Sequence, residues 1–126
     1  PILPAQLSEF REPPKGLQLE VIVRKGELIV ADRNSGPLAP LPNKAAGYDF
    51  DGLAAYLQRV KMKFPEMTAA TILLESDTPY DTLVQVMDKV RVLEVDNAGQ
   101  TVQAELFPDI SIGDAPALDG AVRGGP

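Results

Sequence analysis

Proline placement constrains what this chain can fold into more than any other feature. Ten of its twelve prolines fall in three stretches, residues 1–16, 37–42 and 108–126. Proline has no N–H and a fixed φ, so helix interiors and central strands must lie between those stretches. Pro65 and Pro79 are the exceptions, and both stand where a helix would end or begin. Residues 1–16, with Pro13, Pro14 and Gly16 just before the first apolar run, read as an extended linker. From about Gly113 the sequence turns to small residues and glycine, and 113–126 reads as a flexible tail. That leaves 17–112 as the folded domain of a 126-residue chain, enough for one real core and too little for two.

Periodicity fills in the domain. Leu19, Val21 and Val23 alternate with Gln18, Glu20 and Arg24, a strand with one well-buried face. Lys25-Gly26 supplies a turn, and Leu28 to Ala31 the return strand of a hairpin. Residues 33–48, with Asn34, Gly36, three prolines, Asn43 and Gly47, read as one long loop, the natural place for a ligand pocket if there is one. Asp49 can cap a helix that carries Leu53, Leu57, Val60 and Phe64 on one stripe and closes at Pro65. Ala70 to Glu75 is too short and too apolar for anything but a central strand. Thr78 is placed to cap a second helix with Pro79 at its first position, Asp81 completing a capping box, and Leu83, Met87 and Val90 facing inward. Val92–Val95 and Thr101–Phe107, around Asp96 to Gln100, read as a second hairpin or as a helix end plus one strand. The fold class is α+β: one mixed sheet of four to five strands with two helices packed on one face, in β-β-α-β-α-β order.

The missing residue types exclude much chemistry. Without Cys or His there is no thiolate nucleophile, disulfide, Ser-His pair or zinc site of the usual N/S kind. Glu75, Asp77, Asp81 and Asp88 are the densest carboxylates, but two have capping roles and no calcium-loop spacing is present. Asp49 and Asp51 suit a helix start better than an acid–base pair. Tyr48, Tyr56 and Tyr80 are single aromatics of the half-buried anchoring kind. The sequence therefore predicts no catalytic residue, no metal and no cofactor. Charge is uneven: residues 1–63 sum to +2 and residues 64–126 to −8. The small basic group Arg59, Lys61 and Lys63 suits a helix C-terminus, and no clustered basic face for nucleic acid is expected. No apolar run approaches the roughly 18 residues of a membrane span.

The stretch Ile72 to Val90 carries a resemblance. A hydrophobic strand running into Ser76-Asp77, then Thr78-Pro79-Tyr80, Leu83-Val84, Val86-Met87-Asp88 and Val90, resembles the signature of the ExbD/TolR family of membrane-energised transport proteins. The preceding hairpin and the helix up to Pro65 occur in the family's order, and Leu106 to Asp114 is similar to the C-terminal sequence of some members. Where the family commonly has Gly after the Tyr, this chain has Asp81. The resemblance implies a non-enzymatic periplasmic domain over 17–112, tethered by residues 1–16 to one transmembrane helix in the inner membrane. It implies assembly with an ExbB/TolQ-like channel subunit through that helix, a homodimer, and engagement of a TonB/TolA-like protein or peptidoglycan. The chain opens on Pro1, as expected of a piece of a longer protein. The competing reading is a small soluble ligand-binding or adaptor α/β module with no membrane link.

An open sheet also leaves edges that can take another strand. The candidates are the first hairpin, with Leu19, Val21 and Val23, and the last predicted strand, with Val102, Ala104 and Leu106. Asp77, Pro79 and Tyr80 form a candidate exposed motif.

Overall fold

The structure, a computed structural model, describes residues 10–117. Strands β1 (Leu19–Val23), β2 (Glu27–Asp32) and β3 (Gly36–Pro42) come first, followed by helix α1 (Phe50–Lys63) and strand β4 (Ala69–Leu74). Helix α2 (Tyr80–Arg91), strands β5 (Val92–Asn97) and β6 (Gln100–Glu105), and a last strand β7 (Asp109–Asp114) complete the order. Five strands form one mixed sheet in the order β3-β2-β1-β4-β7, and β5 and β6 form a separate two-stranded sheet. The α+β class stands, with one mixed sheet, while the detailed order differs from the simple β-β-α-β-α-β expectation.

β1 is the centre of the sheet. It pairs antiparallel with β2, where Val21 faces Val30, and parallel with β4, where Val21 faces Ile72. Its Leu19, Val21 and Val23 are buried, and one core joins them to Leu53, Tyr56, Leu57 and Val60 of α1 and to Val86 and Val90 of α2. Both helices therefore cover the same face of the sheet. Asp49 caps α1 as the sequence predicts, accepting a hydrogen bond from Gly52 N at 2.9 Å. A Cβ on Gly52 would collide with that carboxylate and with Leu41 of β3, so this glycine sets how closely α1 starts over the sheet.

Four expectations change. The segment read as a loop, 33–48, contains β3. Pro40 and Pro42 are tolerated because β3 is an edge strand: Asn43 N–H points inward to Gly26 O, so by alternation positions 40 and 42 face away from β2. A bulge opposite Val30 and Ala31 turns both Leu38 and Ala39 into the core. Second, Thr78 does not cap α2. Its hydroxyl donates back to Glu75 O at 2.7 Å, and Pro79 holds the N-cap position without a side-chain bond. Third, the inward stripe of α2 centres on Val86 and Val90, with Leu83 and Met87 packed only partly. Fourth, β7 occupies residues assigned to the end of the domain and the start of the tail. It pairs in parallel with β4 from Asp109 opposite Ala69 to Asp114 opposite Leu74.

The stretch read as linker is laid against the domain from Phe10 to Gly16. Phe10 packs edge-on against Tyr56 at 5.8 Å between ring centres, and Pro13 is buried. The Tyr56 hydroxyl donates to Arg11 O at 2.6 Å, and burial pushes its pKa up to about 12. Arg11 N–H donates to Leu38 O, and its guanidinium to Ser35 O and Pro37 O. Arg59 pairs with Glu12, and Lys63 donates to Pro13 O. Residues 1–9 of the linker and 118–126 of the tail lie outside the described residues.

Asp32 is the buried charge of the fold. It accepts hydrogen bonds from Gln18 N, Ser35 N and Ser35 Oγ, which fix the start of β1 to the β2–β3 turn. Those bonds, the one from Gln18 first, hold its carboxyl below the ordinary 3.8. A depressed folded-state pKa means stability that is fully present above the unfolded value and lost as pH falls through the folded one. The stability gap between the parent chain and Asp32→Ala should therefore be constant from neutral pH to about pH 5 and shrink below about pH 4. Denaturant melts across that range check it. In the same assay Leu57→Ala should cost about 2–5 kcal/mol, whereas Met62→Ala, at a side chain 76% exposed, should stay within about 0.5 kcal/mol.

Candidate functional site

Three parallel strands, β1, β4 and β7, end side by side, and a polar groove of about 670 Å³ lies beyond their carboxyl ends. Arg24, Lys25, Glu75, Asp77 and Asp114 are among its lining residues. Such ends are where open α/β sheets place ligands. Here Arg24, Lys25, Glu75 and Asp77 are already spent on one another, while Asp114 has no ion-pair partner among the described residues. Glu75 accepts from the Arg24 guanidinium at 3.1 Å and from Lys25 N at 3.0 Å, which ties the β1–β2 turn to the end of β4. Arg24 also donates to Pro116 O at 2.8 Å, and the Tyr48 hydroxyl donates to Arg24 O at 2.6 Å. Burial, then the charges of Glu75 and Asp77, push the Tyr48 pKa up. Lys25 Nζ lies 2.9 Å from Asp77, and this hydrogen-bonded contact raises the lysine pKa and lowers that of the carboxyl. The cluster is a brace that closes the end of the sheet.

The exposed motif is placed as expected. Asp77 and Pro79 are exposed, and Tyr80, at the first position of α2, is 79% exposed, so it is no half-buried anchor. Tyr56, by contrast, is fully buried. The carboxylates do not gather: Asp81 accepts from Gln85, Asp88 from Arg91, and among the described residues no group of three carboxylates is arranged for a metal. Arg59, Lys61 and Lys63 are structural clamps rather than a free helix end. Lys61 Nζ donates to Met67 O and Leu106 O and sits 5.2 Å from the centre of the Phe107 ring.

The edge candidates need correction. Leu19, Val21 and Val23 lie on the central strand, paired on both sides, so no strand can be added there. Val102 and Ala104 belong to the separate hairpin and are exposed, while Leu106 is a core residue beyond the end of β6. The second hairpin read from the sequence is present directly after α2, as β5 and β6; what the sequence did not show is that it stands apart from the main sheet. It closes through Ala98 and Gly99, both at positive φ, a two-residue turn that matches the twist of the strands.

The sheet's two real edges are β3 and β7. At β3, Pro40 and Pro42 offer no outward N–H, and Arg11 already occupies the carbonyl of Leu38. At β7, Asp109 N–H points to Thr68 O and Ala115 N–H to Leu74 O, so by alternation Ile110, Ile112 and Asp114 direct their N–H groups away from β4. None of those three amides meets an acceptor among the described residues. Ile112 shares the helix side of the sheet with its partner Ile72 and is nonetheless 48% exposed. Gly113 has Leu73 beside it, and a Cβ there would press on that side chain. The signal for β7 was present as Ile110-Ser111-Ile112 between Pro108 and Pro116, but three alternating residues before a Gly-rich end are too few to mark a strand.

Comparison with known protein families, curated proteins and solved structures finds no match for this chain. The brace yields a direct test. In Lys25→Met, the Asp77 carboxyl should titrate closer to its ordinary 3.8, because its hydrogen-bond and charge partner is gone. A carboxyl-carbon NMR titration of both proteins measures the shift, and an unchanged Asp77 would mean that Lys25 does not hold it in solution.

Proposed function

We propose that this domain is a non-catalytic, protein-binding module of the ExbD/TolR kind. In that role it is the periplasmic part of a subunit in a proton-motive-force-driven complex for transport across the cell envelope, in an inner membrane that an upstream transmembrane helix would cross. That helix would join an ExbB/TolQ-like channel subunit, and the domain would engage a TonB/TolA-like protein or peptidoglycan as a homodimer. The observation that carries the binding part is the contrast between the two sheet edges. One is closed by prolines and by the N-terminal strap, while the other, β7, has outward amides that meet no acceptor among the described residues and a half-exposed isoleucine. An open edge of this kind binds by strand addition, in which main-chain hydrogen bonds supply affinity and alternate side chains supply specificity. The order of elements up to α2, a hairpin-led sheet followed by helix, strand and helix, agrees with the sequence resemblance.

The alternative, a small ligand-binding or adaptor module, loses its proposed pocket, since residues 36–42 are a strand. Four of the five charged groups lining the groove at the strand ends are paired with one another.

Ile112→Pro separates binding from folding. It deletes an outward N–H that takes no part in the ladder, so the sheet should persist. In the longer protein this variant should fold and assemble yet lose energised transport. Normal transport by a folded Ile112→Pro protein would sink strand addition at β7. Upstream sequence without an apolar run would sink the membrane assignment.

A further inference from the structure

We propose that the segment added to β7 is cationic: an extended stretch of a partner protein with a Lys or Arg toward each end and an apolar residue opposite Ile112. This rests on the reading of β7 as a strand-accepting edge and names the chemistry of its partner.

The argument starts from where the topology puts charge. Residues 10–63 carry nine Lys or Arg against six carboxylates and build β1, β2, β3 and α1. Residues 92–117 carry Glu94, Asp96, Glu105, Asp109 and Asp114 and no cation at all. Because the sheet order runs β3-β2-β1-β4-β7, the sequence halves become opposite sides of the molecule, and the open edge lies on the acidic one.

β7 itself begins and ends with a carboxylate. Asp109 and Asp114 are exposed, and no Lys or Arg among the described residues forms an ion pair with either. Asp109 accepts one hydrogen bond, from Thr68 Oγ1 at 2.7 Å. The cations that reach the two ends of this strand are committed elsewhere: Arg24, beyond Asp114, to Glu75 and Pro116 O, and Lys61, ahead of Asp109, to Met67 O and Leu106 O. The two carboxylates are about 17 Å apart along the strand at about 3.3 Å per residue. An odd spacing of five residues places them on opposite faces of the sheet, with Ile110 and Ile112 on the side of Asp114. A strand lying alongside has the same alternation, so cations five residues apart reach both carboxylates, and an apolar residue between them covers Ile112. An acidic segment in that place would set like charges against each other, which strand pairing disfavours.

Two fluorescent hexapeptide probes test this on the 126-residue chain, Lys-Thr-Val-Val-Thr-Lys and Glu-Thr-Val-Val-Thr-Glu, which read the same charge pattern in either strand direction. The lysine probe should bind more tightly, with an advantage that shrinks as salt rises. Asp109→Asn combined with Asp114→Asn should weaken it roughly two- to thirty-fold, the range two exposed ion pairs provide. Ile112→Pro, verified as folded by its NMR spectrum, should abolish binding of the lysine probe. If both probes bind equally and Ile112→Pro removes both, the cationic preference is overturned while the edge reading stands. If neither probe binds, or if binding survives Ile112→Pro, the edge reading itself fails and this inference with it.

Discussion

The structure depends on the burial of one face of β1. Leu19, Val21 and Val23 present a continuous apolar face, and the strand is hydrogen-bonded on both sides. Those two facts oblige both helices to land on that face, because an uncovered stripe of this size would leave several large side chains in water. α1 answers with Leu53, Leu57 and Val60, and α2 with Val86 and Val90. β2 follows β1 through a two-residue turn and pairs antiparallel, whereas β4 arrives after a helix and pairs in parallel. The mixed sheet is thus a consequence of what lies between its strands.

With one face covered and the centre saturated, what remains for function is at the margins. The β3 margin is closed covalently, by ring nitrogens that cannot donate, and non-covalently, by Arg11 and its neighbours. The strand-end margin is closed by ion pairs among Arg24, Lys25, Glu75 and Asp77. Of the five-stranded sheet's margins, β7 is the one whose outward amides meet no acceptor among the described residues, and it lies where the chain is most acidic. An unprotected edge is a hazard for aggregation, and native proteins usually blunt it with charge. Asp109 and Asp114 do so against a second acidic copy while leaving the edge open to a cationic strand.

The N-terminal strap matters for the proposed role in a different way. Phe10, Arg11, Glu12 and Pro13 reach α1 and β3 through an aromatic contact, ion pairs and main-chain hydrogen bonds. A tether attached to this segment would deliver its pull to the β3 side of the sheet, opposite the β7 edge. The folded body therefore reaches at least seven residues ahead of the boundary at Leu17, and Phe10 to Pro13 are not free spacer.

Local physics was legible in the sequence. The alternation of Leu19, Val21 and Val23, the Asp49 cap, the α1 stripe and the short apolar strand before Ser76 all follow from interactions within a few residues. β3 was not legible, because Pro37, Pro40 and Pro42 argue against a strand unless one knows that it lies at an edge. The strap was hidden for a similar reason: nothing near Arg11 in sequence announces that its partners are Ser35, Leu38 and Tyr56. The edge assignment failed most instructively. Alternation showed that Leu19, Val21 and Val23 form a strand, but whether a strand is central or marginal depends on which segments pair with it. β4 occupies one side of β1, and Ile110 to Ile112 became the margin instead. Sequence by itself determined the elements set by local pattern, β1, β2, β4, the two helices and the second hairpin, and the unequal charge of the two halves. Only the tertiary structure decided which edge stays open and that the acidic half lies there, because strand order is set by pairing between residues far apart in the chain.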